Sequence, residues 1–164
     1  MSSGWQTVWT TLQSEFADID DVAQLTRITV RLLIAALLGA VLGFEREHKG
    51  KAAGVRTHML VAMGAALFVM VPQLSGAQAD AMSRVVQGVI AGIGFLGAGT
   101  ILKGHAEEAD QHVKGLTTAA GLWITAAIGV SAGLGRESTA ILSTLLALAV
   151  FSVMPLIVAR LDKD

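Results

Sequence analysis

The residues with the richest chemistry are concentrated in one short stretch, GFEREHKGKAAGVRTHM, which covers residues 43–59. It holds two acids, four bases and two histidines, and apolar sequence lies on either side of it. Carboxylates can bind divalent cations or form charge-assisted pairs with Lys and Arg. The stretch therefore predicts either a site of this kind or a solvated loop whose bases fix membrane topology.

A second group of acids and histidines follows later in the chain. The acids of the two groups are Glu45, Glu47, Glu107, Glu108 and Asp110, and the histidines are His48, His58, His105 and His112. A metal site shared by two loops is one interpretation, and solvated loop charge is the one we adopt. No acid lies deep in an apolar stretch, although cation and proton pathways across lipid usually need one. We therefore predict no bound metal and no cofactor.

Composition excludes several classes of protein. The chain has 164 residues, of which 53% are hydrophobic and only 15% charged, whereas a soluble domain usually carries about 25% charged residues. The net charge of −1 gives no basic field for nucleic acid. The sequence contains no cysteine, no phosphate-binding loop, and no serine, histidine and acid in a hydrolase context, so we predict no enzyme.

The elements that must position the charged residues are membrane helices. Five apolar stretches approach the roughly 20 residues that a membrane-spanning helix needs. They lie at about 28–44, 57–75, 85–102, 116–135 and 138–159. The fold class predicted from them is an all-α polytopic bundle of five transmembrane helices. Arg31 interrupts the first span, so its side chain must reach the interface or find a partner within the bundle.

The segment before the first span has its own periodicity. Its apolar residues recur at helical spacing and would form one stripe: Trp5, Val8, Trp9, Leu12 and Phe16. We predict an amphipathic helix on the outer membrane surface, with a disordered leader as the alternative. Acids and the lack of a basic start argue against a signal peptide. The predicted organisation is an interfacial segment at 1–27, a transmembrane domain at 28–160 and a short tail at 161–164.

The distribution of bases predicts the orientation. Eight bases fall on one side of the five spans, namely Arg46, Lys49, Lys51, Arg56, Lys103, Lys114, Arg160 and Lys163. Four fall on the other side, namely Arg27, Arg31, Arg84 and Arg136. Because cytoplasmic loops retain Lys and Arg, the N-terminus is predicted in the periplasm and the C-terminus in the cytoplasm.

Glycines within the spans predict close helix packing. Three G-x-x-x-G pairs occur, Gly39–Gly43, Gly88–Gly92 and Gly129–Gly133, and this spacing lets a neighbouring backbone approach. We expect the Gly88–Gly92 face to make a tight contact within the chain or in a homodimer. The third span also holds Gly94, Gly97 and Gly99, which predict either a broken helix with exposed carbonyls or a helix crowded by neighbours.

Other polar residues within the spans are few. Arg31 and Gln87 are the uncommon intramembrane polar groups. In the fourth span, Thr118, Thr125 and Gly129 share one helix face, which we expect to pack against another span. The hydroxyls of Thr117 and Thr118 are expected to bond to carbonyls of the preceding turn.

Three motifs in register resemble the membrane domain of the MgtC/SapB family of bacterial inner-membrane proteins. They are GAVLGFEREHKGKAAGVRTHMLVAMGAALF, GVIAGIGFLGAGTILK and VKGLTTAAGLWITAAIGVSAGLG, and the match covers roughly residues 27–160. The resemblance places family signature residues on a functional rim at the cytoplasmic end of the spans. We assign to this rim Glu45, Arg46, Arg56, Thr57, His58, Lys103, Thr117 and Thr118.

The resemblance implies a role in adaptation to magnesium limitation and, in pathogens, in virulence. It implies a regulator that acts on other membrane proteins, the ATP synthase among them, with a transporter of Mg²⁺ or another ion as the alternative. Longer members add a soluble ACT-like domain after the last span, and this sequence stops at Asp164.

The rim residues also suggest a contact between the first two spans. Glu45 ends one helix and Arg56 begins the next, and the short loop between them brings these ends together. We expect a Glu45–Arg56 pair at a partly dry boundary to hold the two spans together more strongly than an exposed pair does. Capped by the charged loop between the third and fourth spans, it would form a cytoplasmic working surface.

Overall fold

The structure is a computed structural model that describes residues 4–17, 19, 21–103 and 114–161. Within these residues it contains six helices and no strand, which confirms the predicted all-α class. The helices are α1 (Gly4–Glu15), α2 (Val22–His48), α3 (Val55–Leu74), α4 (Ala79–Lys103), α5 (Leu116–Gly133) and α6 (Glu137–Leu161).

Five of the helices, α2 to α6, are long and apolar enough to cross a membrane. They correspond to the five predicted spans. The first span, which Arg31 interrupts, lies within a helix of 27 residues. This helix is about 40 Å long at 1.5 Å per residue, so it exceeds the roughly 30 Å of a bilayer core.

The chain divides into two units, residues 1–30 and residues 31–164. In the first unit α1 is helical as its periodicity predicts, and its apolar stripe is exposed, with Trp5 at 83% and Trp9 at 63%. Its location at a membrane surface stays a prediction. In the second unit α5 is the central helix, because it packs against α3, α4 and α6.

Glycines bring the backbones of α2, α3 and α5 into direct contact. A Cβ atom added at Gly39 would lie 2.6 Å from the carbonyl oxygen of His58, and one at Gly43 would lie 2.6 Å from Cα of Val55. Added at Gly129, it would overlap the carbonyl oxygen of Ala62. Since such distances are shorter than any real Cβ contact, only glycine fits at these positions.

The buried face of α5 also agrees with the sequence analysis. Thr118 is 4% exposed and Thr125 is fully buried. The Thr125 hydroxyl donates a 2.8 Å hydrogen bond to the Gly121 carbonyl one turn earlier, the role that hydroxyls ordinarily take in membrane helices. Gly133 completes this face, because an added Cβ there would meet the Ala66 backbone of α3.

The prediction for α4 is wrong in two respects. The helix is continuous through its glycines rather than broken. A Cβ added at Gly88, Gly92, Gly94 or Gly99 would meet nothing within 4 Å, so these glycines are not crowded and Gly88–Gly92 makes no tight contact with the described part of the chain. The reason is position: α4 approaches α5 closely near Gly97, where Ala119 would lie 3.4 Å from an added Cβ, and the other four glycines lie away from this contact. A contact of the Gly88–Gly92 face in a homodimer stays a prediction.

Arg31 has its partners within the second unit. This is one of the two outcomes that the sequence predicts for its side chain. Its Nη1 atom donates hydrogen bonds to the carbonyl of Gly133 at 2.9 Å and to Oε1 of Gln73 at 2.8 Å. Its Nε atom lies 4.0 Å from the Glu137 carboxylate. Arg31 therefore places a positive charge at the C-terminus of α5, where the helix dipole favours one. Gln87, the other predicted intramembrane polar group, is exposed.

Candidate functional site

A group of ionisable side chains lies where α2 ends, and we refer to Glu45, Arg46, Lys49 and His58 as the charged cluster. Arg46 and His58 are buried, Glu45 is partly buried and Lys49 is exposed. Glu45 and Arg46 lie in the last turn of α2, Lys49 follows the helix directly, and His58 lies one turn into α3. Phe151 of α6 and Gly121 of α5 pack against them. The cluster is thus formed by four helices that meet at one end of the second unit.

Arg46 is the most buried charge of the cluster, with 3% of its surface exposed. Its Nη1 atom lies 3.7 Å from Oε2 of Glu45, and its guanidinium carbon lies 4.6 Å from the centre of the Phe151 ring. A guanidinium over an aromatic face is stabilised by the ring quadrupole, most strongly when water is excluded. Arg46 therefore joins the end of α2 to α6.

Lys49 makes a second connection between the same two helices. Its Nζ atom lies 2.5 Å from Oε1 of Glu45, one helical turn earlier. It also donates a 2.7 Å hydrogen bond to the Phe151 carbonyl oxygen. That carbonyl lacks the usual donor four residues later in α6, because the residue there is Pro155, which has no N–H group.

His58 is fully buried, although the sequence analysis placed it on a functional rim. Its Nδ1 atom lies 2.9 Å from the Gly54 carbonyl oxygen, to which it donates as N–H because a carbonyl only accepts. In the neutral ring Nε2 is then an acceptor. A Cβ added at Gly121 of α5 would lie 3.2 Å from Cζ of Phe151 and 3.7 Å from Nε2 of His58, so glycine at this position leaves room for the Phe151 ring beside the histidine.

Several polar atoms of the cluster have no hydrogen-bond partner among the described residues. They are both carboxylate oxygens of Glu45, Nε and Nη2 of Arg46, and Nε2 of His58. The Glu45 oxygens still lie at ion-pair distance from Arg46 and Lys49, so the carboxylate charge is balanced. With two cations and one anion, the cluster carries one excess positive charge and unused hydrogen-bonding capacity.

The predicted pair between Glu45 and Arg56 is not formed. Glu45 pairs with Arg46 of its own helix and with Lys49 directly after it, whereas Arg56 is exposed and makes no ion pair with any described residue. The pairing four residues along α2 is local and needs no loop geometry, which explains why it replaces the expected contact.

Glu47 makes the connection that was expected of Glu45. Its Oε2 atom accepts a 2.8 Å hydrogen bond from the Val55 backbone N–H, the first residue of α3. An acid at a helix N-terminus accepts a hydrogen bond from a backbone N–H that has no partner within the helix, and it interacts favourably with the helix dipole. A side chain at Gly54 would overlap this carboxylate, so the glycine is part of the contact. The sequence pattern that could have indicated this contact is an acid, Glu47, eight residues before a helix start that follows a glycine.

The remaining predicted rim residues differ in their exposure. Thr57 and Thr117 are exposed beside Arg56 and at the start of α5, whereas Thr118 is buried. Lys103 is the last residue of α4, and its side chain lies outside the described residues. The loop with His105, Glu107, Glu108, Asp110 and His112 also lies outside them. Among the described residues no group of three His, Asp or Glu side chains could hold a metal ion.

Comparison with known proteins identifies several relatives of this chain. The protein is 49% identical over 133 residues to SrpB of Synechococcus elongatus, which covers 76% of this chain and 73% of SrpB. It is 39% identical over 139 residues to YhiD of Escherichia coli K12, whose name provisionally describes a magnesium transporter. It is 42% identical over 119 residues to the protein MgtC of Salmonella typhimurium LT2.

The extent of these matches differs among the relatives. The match to YhiD covers 80% of this chain and 62% of YhiD, and the match to MgtC covers 73% of this chain and 48% of MgtC. No solved structure matches the chain significantly. The model of the MgtC family matches residues 32–160, which include α3, α4 and α5 in full and most of α2 and α6. The chain therefore belongs to the MgtC family.

Proposed function

We propose that this protein is a multi-pass protein of the bacterial inner membrane that regulates other membrane proteins by binding them during adaptation to magnesium limitation. A role in virulence would apply where the source is a pathogen. The observation that carries the proposal is the closed, apolar middle of the second unit. Its core residues are Ala35, Leu42, Ala62, Ala66, Ile128, Ala132 and Ala140.

The two charged ends of this unit are separated by that core. Arg31 lies at one end and the charged cluster at the other. The buried hydroxyls of Thr125 and Thr144 donate to carbonyls of their own helices, and the third buried threonine, Thr118, lies near the start of α5. Backbone contact at Gly129 also leaves no space for a hydrated ion between α3 and α5. Among the described residues no polar path therefore joins the ends, which favours binding over transport.

The surface proposed for a partner is the exposed end of the helices around the charged cluster. Three residues of the predicted functional rim are exposed, namely Arg56, Thr57 and Thr117. Together with the exposed Lys51 they form a surface that we call the exposed rim. It lies on the predicted cytoplasmic side, where another membrane protein can reach it. The family resemblance makes the ATP synthase one candidate partner. The charged cluster would hold the rim in place rather than contact the partner.

Transport of Mg²⁺ is the direct alternative, since YhiD is provisionally named for it. The experiment that separates the two uses purified protein in sealed vesicles with a Mg²⁺-sensitive dye inside. The regulator proposal predicts the same dye response as in protein-free vesicles, for the native chain and for Glu45→Gln. Saturable Mg²⁺ entry that Glu45→Gln abolishes would overturn it.

A growth assay supplies the positive test. Variants are expressed in a bacterial strain that lacks its own copy and grows poorly in low magnesium. We expect Lys51→Glu at the exposed rim to abolish growth rescue at normal protein levels. The matched control is Arg136→Glu, an exposed charge reversal before α6, at the opposite end of α5 from the rim, which should retain rescue. Equal rescue by both variants would contradict a partner surface at the rim.

A further inference from the structure

An open groove with a volume of about 750 Å³ lies between α3 and α4, with α5 as its floor. One wall is formed by Leu60 and Phe68 of α3, and the other contains Gly88 and Gly92 of α4. Its floor includes Ala126, which is 4% exposed. The volume lies within the roughly 300–1,000 Å³ typical of ligand sites.

The groove is chemically asymmetric along its length. Arg56 and Thr57 line it at the start of α3 and are the polar residues of its lining. The rest of the lining is aliphatic, aromatic or glycine. Arg56 is exposed and forms no ion pair with any described residue, so its charge remains available to an anion. The groove thus has one cationic end and an apolar remainder.

We propose that this groove binds one anionic phospholipid of the surrounding membrane. The phosphate would lie against Arg56 and Thr57, and an acyl chain would run along the glycines of α4. Arg suits a phosphate because its planar guanidinium can donate two parallel hydrogen bonds. The groove is distinct from the charged cluster but shares Arg56 and Thr57 with the exposed rim. Lipid retention is measured without a protein partner, so its test does not depend on the proposed regulatory function.

The length of the groove agrees with this ligand. Twelve residues separate Arg56 from Phe68, which corresponds to about 18 Å along α3 at 1.5 Å per residue. One leaflet contributes about half of the roughly 30 Å hydrocarbon core. A lipid whose phosphate lies at Arg56, near the start of a span, would therefore have its chain beside the whole apolar part of the groove.

The same features disfavour a transmembrane helix as the occupant. A helix is about 10 Å across and would offer an apolar surface along the whole groove, but it would leave Arg56 without an anion unless it carried an acid at that level. An anionic phospholipid supplies the charge and the apolar chain in one molecule. Charge complementarity at one end is therefore the argument for a lipid, and a second copy of this chain is an outcome of the test.

The experiment measures lipid retention by the full-length protein in detergent. Protein is incubated with equal amounts of phosphatidylglycerol and phosphatidylcholine, and bound lipid is counted by native mass spectrometry. We expect about tenfold preference for phosphatidylglycerol, the factor that corresponds to one charged contact of about 1.4 kcal/mol. Arg56→Gln should remove the preference, and the control Arg136→Gln should keep it. Equal retention of the two lipids by the native protein would overturn the proposal.

A second variant tests the apolar part of the groove. Gly92→Leu places a side chain in the groove, where its Cβ would meet nothing within 4 Å. It should reduce retention of both lipids at least about tenfold. Gly88→Leu serves as a second filling variant if the first folds poorly. Displacement of phosphatidylglycerol by inorganic phosphate with no effect of either filling variant would identify a free-anion site instead. Loss of a dimer on Gly92→Leu, without loss of lipid, would identify a second copy as the occupant.

Discussion

The Lys49 ammonium lies 2.7 Å from the Phe151 carbonyl oxygen, the one carbonyl of α6 that Pro155 deprives of its helical donor. A lysine at the end of one helix thus supplies the hydrogen bond that a proline removes from another, 102 residues later in the chain. The contact also keeps the Lys49 charge beside Glu45.

A double-mutant cycle tests this relationship. Lys49→Met should lower the free energy of unfolding by roughly 1.5–3 kcal/mol, the cost of losing a hydrogen bond to a charged group. In a Pro155→Ala background a backbone N–H returns to the Phe151 carbonyl, so the cost should fall by about 1 kcal/mol. Reversible unfolding in mixed detergent micelles gives both values. Lys51→Met, at an exposed side chain, is the control and should change little.

The glycine pairs of α5 and α4 should respond oppositely to the same substitution. Gly129→Ala places a methyl group against the Ala62 carbonyl oxygen and should destabilise the protein by about 1–3 kcal/mol. Gly92→Ala meets open space, so the higher helix propensity of Ala should leave stability unchanged or raise it by up to about 1 kcal/mol. Thermal unfolding in detergent compares them. Equal losses would mean that Gly92 also faces a backbone, in this chain or in a second copy.

Arg31 and Arg27 form another matched pair. Arg31 donates to the Gly133 carbonyl at the end of α5, whereas Arg27 is exposed on the preceding turn of the same helix. Arg31→Leu should cost roughly 1.5–3 kcal/mol because a carbonyl and Gln73 lose a charged donor. Arg27→Leu should cost less than about 0.5 kcal/mol. The prediction fails if the two variants unfold at the same temperature.

The orientation is tested by reporter fusions. Alkaline phosphatase folds only outside the cytoplasm, so a fusion after Arg160 should be inactive if the C-terminus is cytoplasmic. Insertion after Gly76, in the exposed turn between α3 and α4, should be active. The excess of bases at the opposite helix ends is the physical reason. The reverse pattern of activities would refute the predicted orientation.

The number of helices could be predicted from the sequence because length and hydropathy decide membrane crossing. Close packing at Gly39 and Gly129 also followed from spacing, since removal of a side chain is local information. The identical spacing at Gly88 and Gly92 predicted a close contact within the chain that is not formed, because spacing does not tell whether another helix faces the glycines. That depends on the order of helices around α5.

The charged cluster was only partly predictable for a similar reason. Glu45, Arg46 and His58 were selected, but the burial of Arg46 against Phe151 depends on α6, which is distant in sequence. The choice between Glu45 and Glu47 as the contact to α3 rests on a rotation of about 200° around the helix axis, which a two-residue offset produces. Hydropathy does not resolve such a rotation at a helix end.

Backbone contact at Gly39, Gly43, Gly129 and Gly133 has a mechanical consequence. Where main chains touch, no layer of side chains remains to be compressed, so α2, α3 and α5 resist lateral pressure as one stiff block. The compressible part of the second unit is the space between α3 and α4, where the glycines face open space. A change in bilayer lateral pressure would therefore alter the spacing of α3 and α4 before it disturbed the other helices.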